Sequence, residues 1–155
     1  MRARFAVTLL IALLATTTAA CGSSSSASPV AVTDEAVAAR DAWIRAADEG
    51  GLSAAYLTIS NGSEADDALV DVSAPDVATS VSLHETTTGD DGMTGMHHVL
   101  SIAIPARGSL ALEPGGNHVM LEGLTHDLVA GETVQLVLTF EQAGPVTVDA
   151  QVRAG

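Results

Sequence analysis

In two stretches near the end of the chain, apolar and polar residues tend to alternate. Val134, Leu136, Leu138 and Phe140 share one parity, with Thr133, Gln135 and Thr139 on the other. Val146, Val148, Ala150 and Val152 repeat the pattern against Thr147, Asp149 and Gln151. Residues two apart on a strand point to the same face, so this period means half-buried β-strands. Ala143-Gly144-Pro145 between the two stretches suits a hairpin. Leu110 and Leu112 mark a shorter strand, and Leu100, Ile102 and Ile104 another. Leu57 and Ile59 lie in a segment that ends at Asn61–Gly62. Breakers at Gly50–Gly51, Asn61–Gly62, Gly115–Gly116 and Gly144–Pro145 punctuate the series. No amphipathic helix interrupts it, and there is no internal repeat. Many short strands at close spacing predict an all-β domain over residues 40–155, an antiparallel β-sandwich or barrel.

The segment before that domain reads as an address and a tether. Arg2 and Arg4 precede an apolar run from Phe5 to Ala15, which has the length of a signal-peptide core and is short for a membrane span. Small residues from Thr16 to Ala20 lead to Cys21, the only cysteine in the chain. This arrangement resembles a bacterial lipobox, although Thr18 stands where an apolar residue is usual. It predicts a signal peptide over residues 1–20 and lipidation of Cys21. The alternative is ordinary secretion with a free thiol, which is awkward in an oxidising compartment. Residues 21–39, Ser-rich from Gly22 to Pro29, are then a flexible tether. The expected location is the outer face of a bacterial cell membrane, held by the lipid anchor alone.

Charge narrows the partners. The whole chain has six arginines, no lysine and 19 acids, a formal net charge of -13. Loss of Arg2 and Arg4 with the leader leaves four arginines against the same acids, or −15. Such a surface repels phosphate backbones, so no nucleic-acid partner is expected. With Cys21 at the anchor, the folded domain has no thiol, which excludes disulfides and Cys-rich zinc sites.

Against that scarcity stands one concentration. Three methionines lie between residues 93 and 120, and four of the five histidines lie between 84 and 118. In His118-Val119-Met120, a strand would place His118 and Met120 on one face, with Cα atoms about 6.5–7 Å apart. Val119 and Leu121 would then face the core. Pro114-Gly115-Gly116-Asn117 fixes where this strand begins, near the rim of the sandwich. Gly95-Met96-His97-His98 enters the strand expected at Leu100. His84 follows Val77, Val81 and Leu83 with the opposite parity. Residues 85–95 are acidic and rich in Thr and Gly, and read as a long loop.

Two imidazoles and two thioethers, His84, Met96, His118 and Met120, form a soft and neutral donor set. Thioether suits Cu(I), whereas Mg²⁺ and Ca²⁺ prefer oxygen and Zn²⁺ prefers Cys, His and carboxylate. A thiol-free set also survives an oxidising compartment. Met93 is an alternative to Met96, and His97 or His98 could add Cu(II) affinity. His126 reads as a surface residue. No nucleophile–base arrangement is recognisable, so an enzyme is not expected.

These residues resemble the PCuAC family of periplasmic Cu(I) chaperones. That family's signature is a His, eleven residues, a Met, twenty-one residues and His-x-Met. His84, Met96 and His118-Val119-Met120 reproduce the spacing throughout. The family's optional Met after the first His is Glu85 here. Asp41-Ala42-Trp43-Ile44-Arg45, Ala55-Tyr56-Leu57-Thr58-Ile59-Ser60-Asn61, Met120-Leu121-Glu122-Gly123-Leu124 and Leu138-Thr139-Phe140-Glu141 also follow its pattern. The resemblance covers roughly residues 40–152. It implies a cupredoxin-like Greek-key sandwich that holds one Cu(I) and delivers it to the CuA centre of cytochrome c oxidase subunit II, often beside a Sco-type protein. Some members carry a His/Met-rich Cu(II)-binding tail. The sequence stops at Gly155 without one, so a second copper site is not expected. The rival expectations are copper sequestration through the same residues, or a metal-free structural lipoprotein.

Overall fold

The computed structural model describes residues 37–89 and 92–155. The expected signal peptide, Cys21 and nearly all of the expected tether lie outside the described residues. Those described form ten strands and no helix. In chain order they are β1 (Val37–Arg45), β2 (Leu52–Asn61), β3 (Asp67–Ser73), β4 (Ala78–Thr88), β5 (Thr94–Val99), β6 (Ile102–Ile104), β7 (Ser109–Leu112), β8 (His118–Leu124), β9 (Thr133–Phe140) and β10 (Gly144–Arg153). Hydrogen-bonded neighbours run β5-β4-β8-β2-β1-β10-β9-β3-β6, with β7 paired to β2. β2 changes partner along one edge: residues 52–55 pair with β8 and residues 57–60 with β7. Contacts of β3 with β4 and of β6 with β7 fold this path back on itself. The enclosed core includes Ile44, Ile59, Leu69, Ile104, Val119, Leu121, Leu136 and Leu138, all fully buried.

The two alternating stretches form the β9–β10 hairpin, Phe140 pairing with Gly144 and Thr133 with Gln151. Val134, Leu136, Leu138 and Phe140 all face inward. The Asp67 carboxylate secures the turn by accepting hydrogen bonds from the Gln142 and Ala143 amides at 2.9 and 3.0 Å. Buried Asn61 does the same for the turn between β2 and β3. Its amide nitrogen donates to the Ala65 and Pro105 carbonyls, and its side-chain oxygen accepts from the Ser63 amide. A buried polar side chain is tolerated only with its bonds made, and both of these make them.

The structure corrects four details of the expected sandwich. One pairing is parallel: β1 runs beside β10 in the same direction, Trp43 opposite Gln151. Alternation along a strand is the same for either direction of its neighbour, so periodicity carries no such information. The first strand also begins at Val37, inside the stretch read as tether. Val37 is buried and pairs with Asn61. A bulge between Arg40 and Trp43, with Asp41 at φ 57, breaks the alternation that would have revealed it. Residues 85–88 and 94–95 of the expected loop are strand, because β4 continues to Thr88 and β5 starts at Thr94. Finally, Leu100 does not share a strand with Ile102 and Ile104. It stands 83% exposed at the bend between β5 and β6.

Gly123 shows how closely β4 and β8 approach. Its φ is +61, and a Cβ there would meet the Thr79 hydroxyl, which itself donates to the Glu122 carbonyl. Left-handed backbone and the steric conflict act together, so Gly123→Ala should lower unfolding stability by about 1–3 kcal/mol. Denaturant melts of the two proteins check this; equal midpoints would show that the strand pair relaxes without strain.

Candidate metal centre

Three adjacent strands build the site. β4 lies between β5 and β8, antiparallel to both. Its register sets His84 opposite His118 on one side and opposite His98 on the other. One row away, Ser82 faces Met120; one row the other way, Thr86 faces Met96. Cross-strand partners share a face, so His84, Met96, His118 and Met120 all project from the same side of the sheet. Leu83, Val119 and Leu121 alternate to the other side and are buried in the core. The expected split between ligand-type residues and core residues therefore holds along β8.

His118 is the most fixed of the four, at 5% exposure. Its Nδ1 lies 3.0 Å from the Gly116 carbonyl. A carbonyl only accepts, so Nδ1 carries the hydrogen and Nε2 keeps its lone pair. That carbonyl comes from the Pro114–Asn117 turn, which reverses through Gly115 at φ +83 and closes with the Glu113 amide donating to Asn117 at 2.7 Å. The same carbonyl accepts from the Thr86 amide at 3.2 Å, which ties the turn to β4. An imidazole oriented through its far nitrogen is the usual second-sphere support of a metal ligand.

His84 sits at the centre of the row. Its Nε2 is 3.1 Å from the Ser82 hydroxyl, and its Nδ1 is buried with no hydrogen-bond partner. When Nε2–H donates to Ser82, Nδ1 is a bare lone pair in a dry setting, as an ion-binding atom requires. Burial, with smaller contributions from nearby His118 and His98, pushes the His84 pKa below the usual 6.5 against an opposing pull from Glu122. The ring is therefore held neutral.

A cavity of about 300 Å³ opens over this face. Met96, His118 and Met120 line it together with Leu52, Tyr56, Pro114 and Arg45. Met96 is 60% exposed and Leu52 62%, so the mouth is apolar and open. Among the described residues, no three groups drawn from His, Cys, Asp and Glu are placed to hold a metal ion. A centre on this face must draw on methionine sulfur.

The other candidates separate clearly. Met93 is exposed in the β4–β5 turn, where its carbonyl accepts from the Gly89 amide. His97 pairs with Glu85 and so projects from the opposite face. His126 is a surface residue bonded to Glu132 at 3.1 Å. His98 joins the row beside His84. Its shared parity with Met96 was visible in the sequence, but only the register of β5 against β4 reveals its neighbour. Arg45 and Tyr56, on the cavity wall, carried no spacing signal as site residues.

A family model described as "Putative lipoprotein LpqE-like" matches residues 37–152. The chain belongs to the LpqE-like family. Among curated proteins, this LpqE-like chain is 34% identical over 112 residues to "Putative lipoprotein Lxx21020" of Leifsonia xyli subsp. xyli (strain CTCB07). That match covers 72% of this chain and 66% of the relative, just under two thirds of its length. Among solved structures, the copper-bound PCuAC domain from PmoF2 is 28% identical with a TM-score of 0.64, over 77% of this chain and 93% of that one. The solution structure of the Cu(I) form of DR1885 from Deinococcus radiodurans is 36% identical with a TM-score of 0.59, over 78% and 82%. The LpqE-like domain is thus of the PCuAC type, with the cupredoxin-like fold its sequence predicts.

The lowered proton affinity of His84 has a measurable sign. Its folded pKa lies below its unfolded one, so the stability it contributes is present above 6.5 and is lost as pH falls from there through the folded value. An NMR titration of the metal-free protein should place the His84 midpoint below 6.5. A midpoint at or above that value would mean the ring is more solvated than its surroundings indicate.

Proposed function

We propose that this protein is an exported, lipid-anchored copper chaperone that carries one Cu(I) on His84, Met96, His118 and Met120. What supports this reading is that the strand register puts those four residues on one sheet face, with Met96, His118 and Met120 lining one apolar cavity there. Two neutral imidazoles and two thioethers leave a bound Cu(I) with a net charge of only +1. That favours the reduced ion and disfavours hard cations. No anionic donor is needed, so the ion is held without being trapped. The likeness to the copper-bound PmoF2 domain and to Cu(I) DR1885 supports the same reading. Its action is binding and transfer, not catalysis.

The proposed acceptor is the CuA centre of cytochrome c oxidase subunit II, with a Sco-type protein as a further partner. The proposed setting is the outer face of the cell membrane, with Cys21 lipidated and the segment before Val37 as the tether. Soft ligands in a thiol-free domain suit that oxidising side.

Competition with a Cu(I) chelator tests the site. His118→Ala combined with Met120→Ala should weaken Cu(I) binding roughly a hundredfold or more, since two donors are lost. X-ray absorption on the loaded protein should show a Cu(I) edge with mixed nitrogen and sulfur scattering. An unweakened double variant, or nitrogen and oxygen scattering alone, would overturn the ligand set. Copper passing to the metal-free CuA domain supports delivery; none passing at equilibrium leaves sequestration as the function of the same site.

A further inference from the structure

Four arginines follow the expected signal peptide, and the fold uses them in two ways. Arg40 lies 3.8 Å from the Asp41 carboxylate, and Arg107 lies 3.1 Å from Glu64. Arg45 and Arg153 are exposed and make no ion pair among the described residues. Gly155 lies against Arg45 without pairing with it. The parallel register of β1 and β10 sets Arg45 and Arg153 side by side. A strongly acidic chain thus leaves its two un-neutralised guanidinium groups together.

Their place follows strand by strand. Trp43 and Arg45 share a face of β1, and Trp43 is opposite Tyr56 on β2. Ala54, two residues before Tyr56, is opposite Met120 on β8. The arginine pair therefore stands on the sheet face that carries His118 and Met120. Arg45 and Tyr56 themselves line the cavity, with apolar Leu52, Met96 and Pro114. The Arg153 guanidinium carbon is 5.5 Å from the Trp43 ring centroid, and that ring is 4.5 Å from Tyr56. An Arg–Trp–Tyr stack thus runs from β10 to the cavity wall. Glu122 and Asp149 share this face by parity, but neither lines the cavity.

We propose that Arg45 and Arg153, with the Trp43–Tyr56 stack and the apolar mouth beside them, form the docking face for the protein that receives the copper. That partner meets the face with carboxylates set around an apolar patch. This rests on the delivery reading above and adds the chemistry of the acceptor's contact surface. Charge decides the choice. A basic partner would be drawn to carboxylates over much of this chain and kept from the cavity mouth by Arg45. An acidic partner is repelled by most of the surface and attracted where two guanidinium groups stand free, so the field turns the cavity toward it. Guanidinium pairs with carboxylate through two parallel hydrogen bonds. Arg, Trp and Tyr are also the residues that concentrate binding energy at interfaces.

The test follows copper passing from the loaded protein to the metal-free CuA domain by stopped flow, at low and at high salt. The second-order rate should fall as salt rises. Arg45→Glu combined with Arg153→Glu should slow it roughly tenfold or more and flatten its salt dependence. Arg153→Glu alone, outside the cavity, should slow transfer while Cu(I) affinity by chelator competition holds. Arg107→Glu makes the same charge change in the turn between β6 and β7 and should cost less than about twofold. Undiminished transfer in the double variant, an equal loss in Arg107→Glu, or acceleration by salt would overturn the docking face while delivery stands. No transfer from loaded wild type would strike the delivery reading, and this partner with it. A wild-type dimer that Arg45→Glu dissolves would give the face to a second copy and likewise overturn the assignment.

Discussion

The register of β4 against β8 is the constraint from which the rest follows. His84 opposite His118 and Ser82 opposite Met120 are one choice among those two strands could make. The core enforces it. Along β8, Val119 and Leu121 are fully buried on the face opposite His118 and Met120. A slip by one residue would turn the imidazole and thioether into the core and leave valine and leucine over the cavity. Each apolar side chain returned to water would cost about 1.5–3 kcal/mol. The ordering of the site is therefore a by-product of burial on the other side of the same strands. A soft-metal face can be organised without a single strong bond among its own members.

That arrangement also keeps the acids away. The chain carries 19 acidic side chains, yet only Glu122 is among the groups acting on His84, and no carboxylate lines the cavity over this face. Elsewhere they have other work: Asp67 caps the β9–β10 turn, Glu132 holds His126, and Glu64 pairs with Arg107 at 3.1 Å. A carboxylate among the four donors would favour harder cations and bind them with a charge difficult to release. Selectivity at the proposed site would come as much from what the cavity lacks as from the sulfur it presents.

The fold was legible wherever one face of a strand is buried. The alternation in β9 and β10 announced the hairpin, and His118-Val119-Met120 announced its own split between cavity and core. The spacing of His84, Met96 and His118 was legible as a resemblance, and it has a plain structural meaning. Eleven intervening residues span the far end of a hairpin, and twenty-one span the return to β8 through β6 and β7. What stayed hidden is pairwise information. Thr86, Thr87 and Thr88 extend β4 beyond the core, where no apolar face marks them as strand. The parallel β1–β10 pair leaves no trace in either strand's pattern. His98 could be assigned a parity but not a neighbour, because a neighbour is a property of two strands and periodicity is a property of one.

The site is unequal in its two halves, and the inequality suits a carrier. His118 and Met120 lie on β8, which is hydrogen-bonded on both sides, to β4 and to β2. Met96 and His98 lie on β5, at the end of the sheet path with β4 as its one named strand partner. An edge hairpin with few buried apolar contacts opens at far lower free energy than an inner strand. An ion gripped equally by four rigid donors would have to break all of them to leave. Divided this way, His84, His118 and Met120 on the inner strands would keep the proposed cargo in place while Met96 on the edge strand moves aside. An incoming donor from an acceptor can then replace Met96 first, through the open mouth of the cavity, before the buried imidazole lets go.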